Sequence, residues 1–276
     1  GGDGLWKVHV HVDDVGAALE AGLAAGRPYR VRVTHFRDQL TGRSGDRPAV
    51  PGPGREASRA VLAVTYADGL ARLFEEAGAA VLRSTSGGRP TSEQILAAVR
   101  ATGATEVVVL TNERDVVAAA ETAAALAQRE DRTRVAVVPT RAQVQGLAAL
   151  AVHDPTRPFQ SDLVEMTAAA RHARVGAVAV ADRPVPTAAG PCRPGDVLGE
   201  VEGEVTVVGH TLEEVAAAVL DRLLGGGGEL VTVVAGAGAA ELARACEEHL
   251  RRRHPAVEVV GYDGGQERYA LLFGVE

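Results

Sequence analysis

The chain has 276 residues, 46% of them apolar and only 3% aromatic, with a formal net charge of −7 at neutral pH. A chain of that size can bury a sizeable core, here packed from Val, Leu and Ala, and has room for two compact units. The negative balance, with no basic tract and no interleaved aromatics, argues against a nucleic-acid partner, and no run of about 18 apolar residues is present to span a membrane. Cys192 and Cys246 lie far apart without CxxC spacing, which suits a reducing cytoplasm and argues against both a disulfide scaffold and a cysteine-only zinc site.

The opening GGDGLWKVHVHV enters a strand almost at once and carries no initiating Met, so the chain is expected to be a fragment of a longer protein. Residues 7–13 alternate strictly, with Val8, Val10 and Val12 on one face and His9, His11 and Asp13 on the other. A helix over 15–25 and a second alternating run at 29–36 complete a small β-α-β remnant within 1–41. His9 and His11 project about 7 Å apart from one strand face, a workable separation for two imidazoles to meet one metal, with Asp13 on the same face as the one candidate third ligand. Residues 42–57 are rich in Pro and Gly and read as an extended linker.

A new pattern begins at 58. Strands are expected at 60–65, 79–82, 107–110 and 134–138, each followed by a helix, which is the order of a doubly wound parallel sheet. The four apolar residues at 107–110 read as a strand buried on both faces, followed by the polar turn Thr111-Asn112-Glu113 and an Ala-rich helix. Such turns lie at the carboxyl ends of the strands, where ligands and partners bind, so Thr111, Asn112, Arg114, Thr140 and Gln143 become candidate partner-binding or ligand-binding residues. The loop STSGGRP at 84–90 lacks the spacing of a nucleotide-binding loop.

The second lobe is assigned to 159–276. A helix over 159–172 precedes a strand at 175–181, a Pro-rich loop at 182–195 and a hairpin of 197–201 with 205–208. Thr211 caps a helix over 212–224, and 230–234 opens a second strand-turn-helix unit. Asp263-Gly264-Gly265 between alternating runs at 257–262 and 268–275 reads as a second hairpin turn, and Gln266 beside it joins the candidate site residues with both glycines. No serine elbow, HExxH motif or acidic Mg²⁺ cluster occurs, and His153, His172, His210, His249 and His254 read as solvated surface.

Five stretches in succession, LWKVHVHVDDVGAALEAGL, VVVLTNERDVVAAAETAA, RVAVVPTRAQVQGLAAL, the Met-containing helix before RVGAVAVADRP, and YDGGQERYALLFGVE, resemble one family. It is the large, dihydroxyacetone-kinase-like subunit of bacterial fatty acid kinase. The resemblance implies an α/β fold of two lobes with mostly parallel sheets, of the DegV type, after the β-α-β remnant. It further implies that the chain holds the end of a central domain and a C-terminal domain that docks an acyl-carrying fatty-acid-binding subunit. The ATP-binding kinase domain of the family has no counterpart here, so this fragment is expected to have no catalytic residues and no cofactor of its own. In the family the His-x-His is tied to a metal site with a Cys upstream, so Zn²⁺ at His9 and His11 is expected only in the full-length protein. The chain departs from the family where many members read GGQTMNPST and Pro-Asn-Asn. A lipid-binding or small-ligand-binding module is the alternative reading, and a homodimer remains open.

Overall fold

The computed structural model describes residues 58–84 and 88–276, with Ala21, Leu23 and Ala24 as isolated helical residues. His9, His11 and the linker at 42–57 therefore lie outside the described residues. The first lobe runs β1 (Arg59–Thr65), α1 (Asp68–Glu76), β2 (Ala80–Arg83), α2 (Ser92–Ala101) and β3 (Glu106–Leu110). After β3 come a 3-10 turn (Arg114–Val116), α3 (Val117–Glu130), β4 (Arg134–Val138), α4 (Gln143–Ala151) and α5 (Phe159–His172). Its four strands are ordered β2-β1-β3-β4 and all pair in parallel, as expected of a repeating strand-helix pattern.

Alternation along the strands assigns each side chain to one of two cores. Leu62, Val64, Val107 and Val109 pack on α2 and α3 through Ile95, Val99, Ala120 and Ala123. Val61, Ala63, Val108 and Leu110 face the other way, onto Phe74, Ala149, Leu150, Phe159 and Met166. Because Phe159 and Met166 fill this second core, α5 packs with the first sheet even though it precedes the strands of the second. Helix α2 begins with a reciprocal cap, in which Gln94 N donates to Thr91 Oγ1 (3.2 Å) and Thr91 N donates to Gln94 Oε1 (2.9 Å).

The second lobe contains β5 (Arg174–Val180), β6 (Val185–Thr187), β7 (Gly190–Cys192), β8 (Val197–Val201) and β9 (Glu204–Gly209). It continues with α6 (Leu212–Leu224), β10 (Leu230–Ala235), α7 (Ala240–Arg253), β11 (Glu258–Asp263) and β12 (Leu271–Val275). The six-stranded sheet is ordered β11-β10-β12-β5-β8-β9, and only β10 and β11 run parallel. Two expectations are corrected. Asp263-Gly264-Gly265 does not close a hairpin, because β10 lies between β11 and β12 and the segment crosses over it. The Pro-rich loop also contains a small antiparallel ribbon, β6 with β7, in which Pro186 and Pro191 face each other where neither is asked to donate.

One face of the second sheet carries α6 and α7. The other rests on the first lobe, where Leu70 of α1 and Val144 of α4 pack with Ala177, Val234 and Leu272. Gly274 on β12 makes this approach possible, since a Cβ there would lie 3.1 Å from that of Val144. The lobes are thus joined by a continuous apolar seam.

Not all histidines are solvated, which corrects the sequence reading. His153 Nδ1 sits 2.7 Å from Asp162 Oδ2, while His249 and His254 both bond Asp221 Oδ1 through Nε2 at 2.8 and 3.1 Å. Asp162 is fully buried and also holds Arg59 Nη1 at 3.1 Å, and Arg59 in turn donates to Glu106 Oε2 at 2.8 Å. This network closes the amino-terminal edge of the first sheet. A buried guanidinium left without one of its carboxylates is costly, so Asp162→Ala should lower the unfolding free energy by about 3–5 kcal/mol in urea titration. A loss below about 1 kcal/mol would mean that Arg59 escapes to water instead.

Candidate functional site

The carboxyl edge of the first sheet is set by short polar contacts. Asn112 follows β3 with φ of 57°, a left-handed conformation that Asn tolerates better than most residues. Its Nδ2 donates to Val64 O at the end of β1 (3.0 Å), and its Oδ1 accepts from Thr140 Oγ1 beyond β4 (2.9 Å). Asn112 N donates to the same hydroxyl at 2.8 Å, and Thr111 Oγ1 donates to Thr140 O at 2.7 Å. Gly146 on α4 is required here, because a Cβ would collide with Asn112 Oδ1. Thr111, Asn112 and Thr140 are each no more than 1% exposed, so they tie three loop ends together from within.

Between this edge and the second lobe lies a cleft of about 1640 Å³. Its walls are rich in charge of both signs, including Arg114, Arg141, Arg171 and Arg268 with Glu113, Glu200 and Glu202. Glu113 after β3 and Glu200 on β8 come from different lobes. Burial raises both carboxyl pKa values above the ordinary range, and the Arg268 cation opposes that shift in each. The Arg268 guanidinium lies 5.1 Å from the Tyr269 ring centroid. Burial also pushes up the Tyr66 and Tyr269 hydroxyls, so both remain neutral donors. Two carboxylates, one cation and two phenols facing a cleft form the kind of perturbed cluster that marks binding sites.

The residues singled out from sequence fall into separate environments. Arg114, in the 3-10 turn, is exposed and lines the cleft beside Gly203 of the β8–β9 turn. Gln143 lines the cleft at the start of α4 but is 2% exposed. Gly265 is exposed, with φ of 65°, whereas Gly264 is buried and its carbonyl accepts from Leu70 N of α1 at 3.1 Å. Gln266 is buried away from the cleft and donates from Nε2 to Val234 O at 3.2 Å. The sequence reading missed Tyr66, Glu200 and Arg268. Glu200 alone left a trace, as a charged residue within the apolar alternation of its strand. Among the described residues no group of three or more His, Cys, Asp or Glu side chains is placed to hold a metal, and no helix is long and apolar enough to cross a membrane.

The fold is the two-lobed α/β arrangement of the DegV family. It is similar to a Streptococcus pneumoniae fatty acid kinase B3 protein solved loaded with linoleic acid, with a TM-score of 0.60, 14% identity, and 79% of this chain and 99% of that one covered. The DegV family protein Cg2579 of Corynebacterium glutamicum gives a TM-score of 0.58 at 15% identity, covering 79% and 97%. Residues 60–276 match the C-terminal domain of the FakA-like fatty acid kinase family, and residues 1–43 match the middle domain of the same family. The chain belongs to the FakA-like fatty acid kinase family. Protein YloV of Bacillus subtilis is 26% identical over 283 residues, covering 99% of this chain and 50% of that protein. The chain therefore spans about half the length of the curated relatives it matches.

The upward shift of Glu200 makes a signed prediction. A carboxyl whose folded pKa is raised penalises the native state when ionised, and the penalty disappears as pH falls below the unfolded value near 4.3. Glu200→Gln should therefore melt above wild type at neutral pH, with the difference vanishing by about pH 4. Parallel melting curves across this range would instead place the penalty elsewhere.

Proposed function

We propose that residues 58–276 form a non-catalytic docking part of a FakA-like fatty acid kinase, which receives a separate acyl-carrying, fatty-acid-binding protein. Phosphorylation of the acyl group would belong to a kinase domain outside this chain. The reading rests on the match of 60–276 to the C-terminal family model, and the cleft adds chemical support. Charged side chains from both lobes give a protein surface complementary partners. The apolar space between lobes is itself filled by Leu70, Val144, Val234 and Leu272, which disfavours a lipid tunnel along that seam.

The docking surface is proposed at the mouth of the cleft, with Arg114 and Gly265 as its accessible members. Thr111, Asn112, Thr140, Gln143, Gly264 and Gln266 hold the loops that present them. Zn²⁺ at His9 and His11, completed by residues outside the chain, is proposed for the full-length protein, and location in the cytoplasm agrees with this role. Replacing Arg114 by Ala should weaken binding of the acyl-carrying partner by about 1–2 kcal/mol in a calorimetric titration. The melt should barely move, because an exposed Arg buries little surface. Unchanged affinity would shift the contact away from this turn, and a melt lower by many degrees would make Arg114 structural.

A further inference from the structure

Helix α4 starts at the wall of the cleft without a side-chain cap, because Ala142 occupies the capping position. Gln145 N and Gly146 N donate back to Ala142 O at 3.1 and 3.3 Å, but Gln143 N and Val144 N have no acceptor among the described residues. An uncapped first turn by itself is a common feature satisfied by water. Here a second observation points at a ligand. Gln143 is 2% exposed and lines the cleft, yet neither its Nε2 nor its Oε1 has a hydrogen-bond partner among the described residues. Three other buried polar atoms lack partners there, Thr65 Oγ1, Thr206 Oγ1 and Gln266 Oε1, and none of their residues lines the cleft.

A buried amide left unpaired costs free energy that an apolar residue of the same size would not, so its presence at this wall calls for an occupant. The occupant must accept hydrogen bonds from one side-chain N–H and two helix N–H groups at the positive end of the α4 dipole. Arg141 and Arg171 line the same cleft and add positive charge to its wall. The acids Asp68, Glu113, Asp115, Glu200, Glu202 and Glu267 line it too; Asp68 and Asp115 pair with Arg83 and Arg89, Glu202 Oε1 accepts from Val175 N at 2.7 Å, and the Arg268 cation partly offsets the burial of Glu113 and Glu200.

We propose that the first turn of α4 is an oxyanion site, in which Gln143 Nε2 and the backbone N–H groups of Gln143 and Val144 hold the carboxylate or phosphate group of a small ligand in the cleft. The site does not depend on the docking reading, and the test needs no partner. Acetate and inorganic phosphate are titrated separately into the ¹⁵N-labelled 276-residue chain at fixed ionic strength set with chloride, following amide resonances. The expected result is a saturable shift at Gln143 and Val144 with one or both anions, and the anion that saturates first assigns the ligand group. Gln143→Met should weaken that response about tenfold or more, since a hydrogen bond to a charged group is lost. Gln143→Glu, which sets a carboxylate in the same place, should abolish it. No shift at these two amides with either anion in the wild-type chain, shifts confined to other residues, or a response that survives in both variants would overturn the site.

Discussion

The carboxyl edge of the first sheet depends on the contact between Asn112 and Gly146. Asn112 can leave β3 in a left-handed turn only because its short amide is consumed at once by Val64 O and Thr140 Oγ1, in a pocket that the missing side chain of Gly146 keeps open. Those bonds join the ends of β1, β3 and β4, which otherwise would be three independent loops. They also fix the depth at which α4 sits, because Gly146 and Val144 belong to the same turn. Val144 then reaches the second sheet at Gly274, so one close approach sets both the loop edge and the seam between lobes.

A seam packed with Leu70, Val144, Val234 and Leu272 has a consequence for the neighbouring cleft. Val144, Ala177 and Leu272 of the seam also line this cleft, whose remaining walls face water or a partner. Glu113 and Glu200 arrive there from opposite lobes, and partial burial lifts both carboxyl pKa values against the opposing charge of Arg268. The arrangement exists only because the lobes are held at this spacing. A charge cluster assembled across a fixed seam suits a surface that reads another molecule, since its stability penalty is relieved when the charges find partners.

The comparisons narrow this picture by family more than by ligand. Similarity to DegV proteins at 14–15% identity concerns the fold, whereas the family match over 60–276 concerns descent. A fold shared with a protein solved with linoleic acid does not fill this cleft with lipid, because side chains rather than topology decide what a cleft admits.

The parallel sheet of the first lobe was legible in the sequence because each strand is a short Val-rich run bounded by turn residues and followed by an amphipathic helix. The limits of β4 and α5 were legible for the same local reason. The second sheet was less so. Asp263-Gly264-Gly265 has the local chemistry of a hairpin, and only the insertion of β10 between β11 and β12 turns it into a crossover, a long-range choice that turn propensity does not record. At the site, chain order placed Thr111, Asn112, Thr140 and Gln143 at the correct edge of the sheet, since strand ends determine that by themselves. Which of them are consumed in mutual hydrogen bonds, and that Gln143 is left without any, depended on the burial created when α4 met the second lobe. Tyr66, Glu200 and Arg268 lie far apart in sequence, so their meeting was decided by tertiary packing alone.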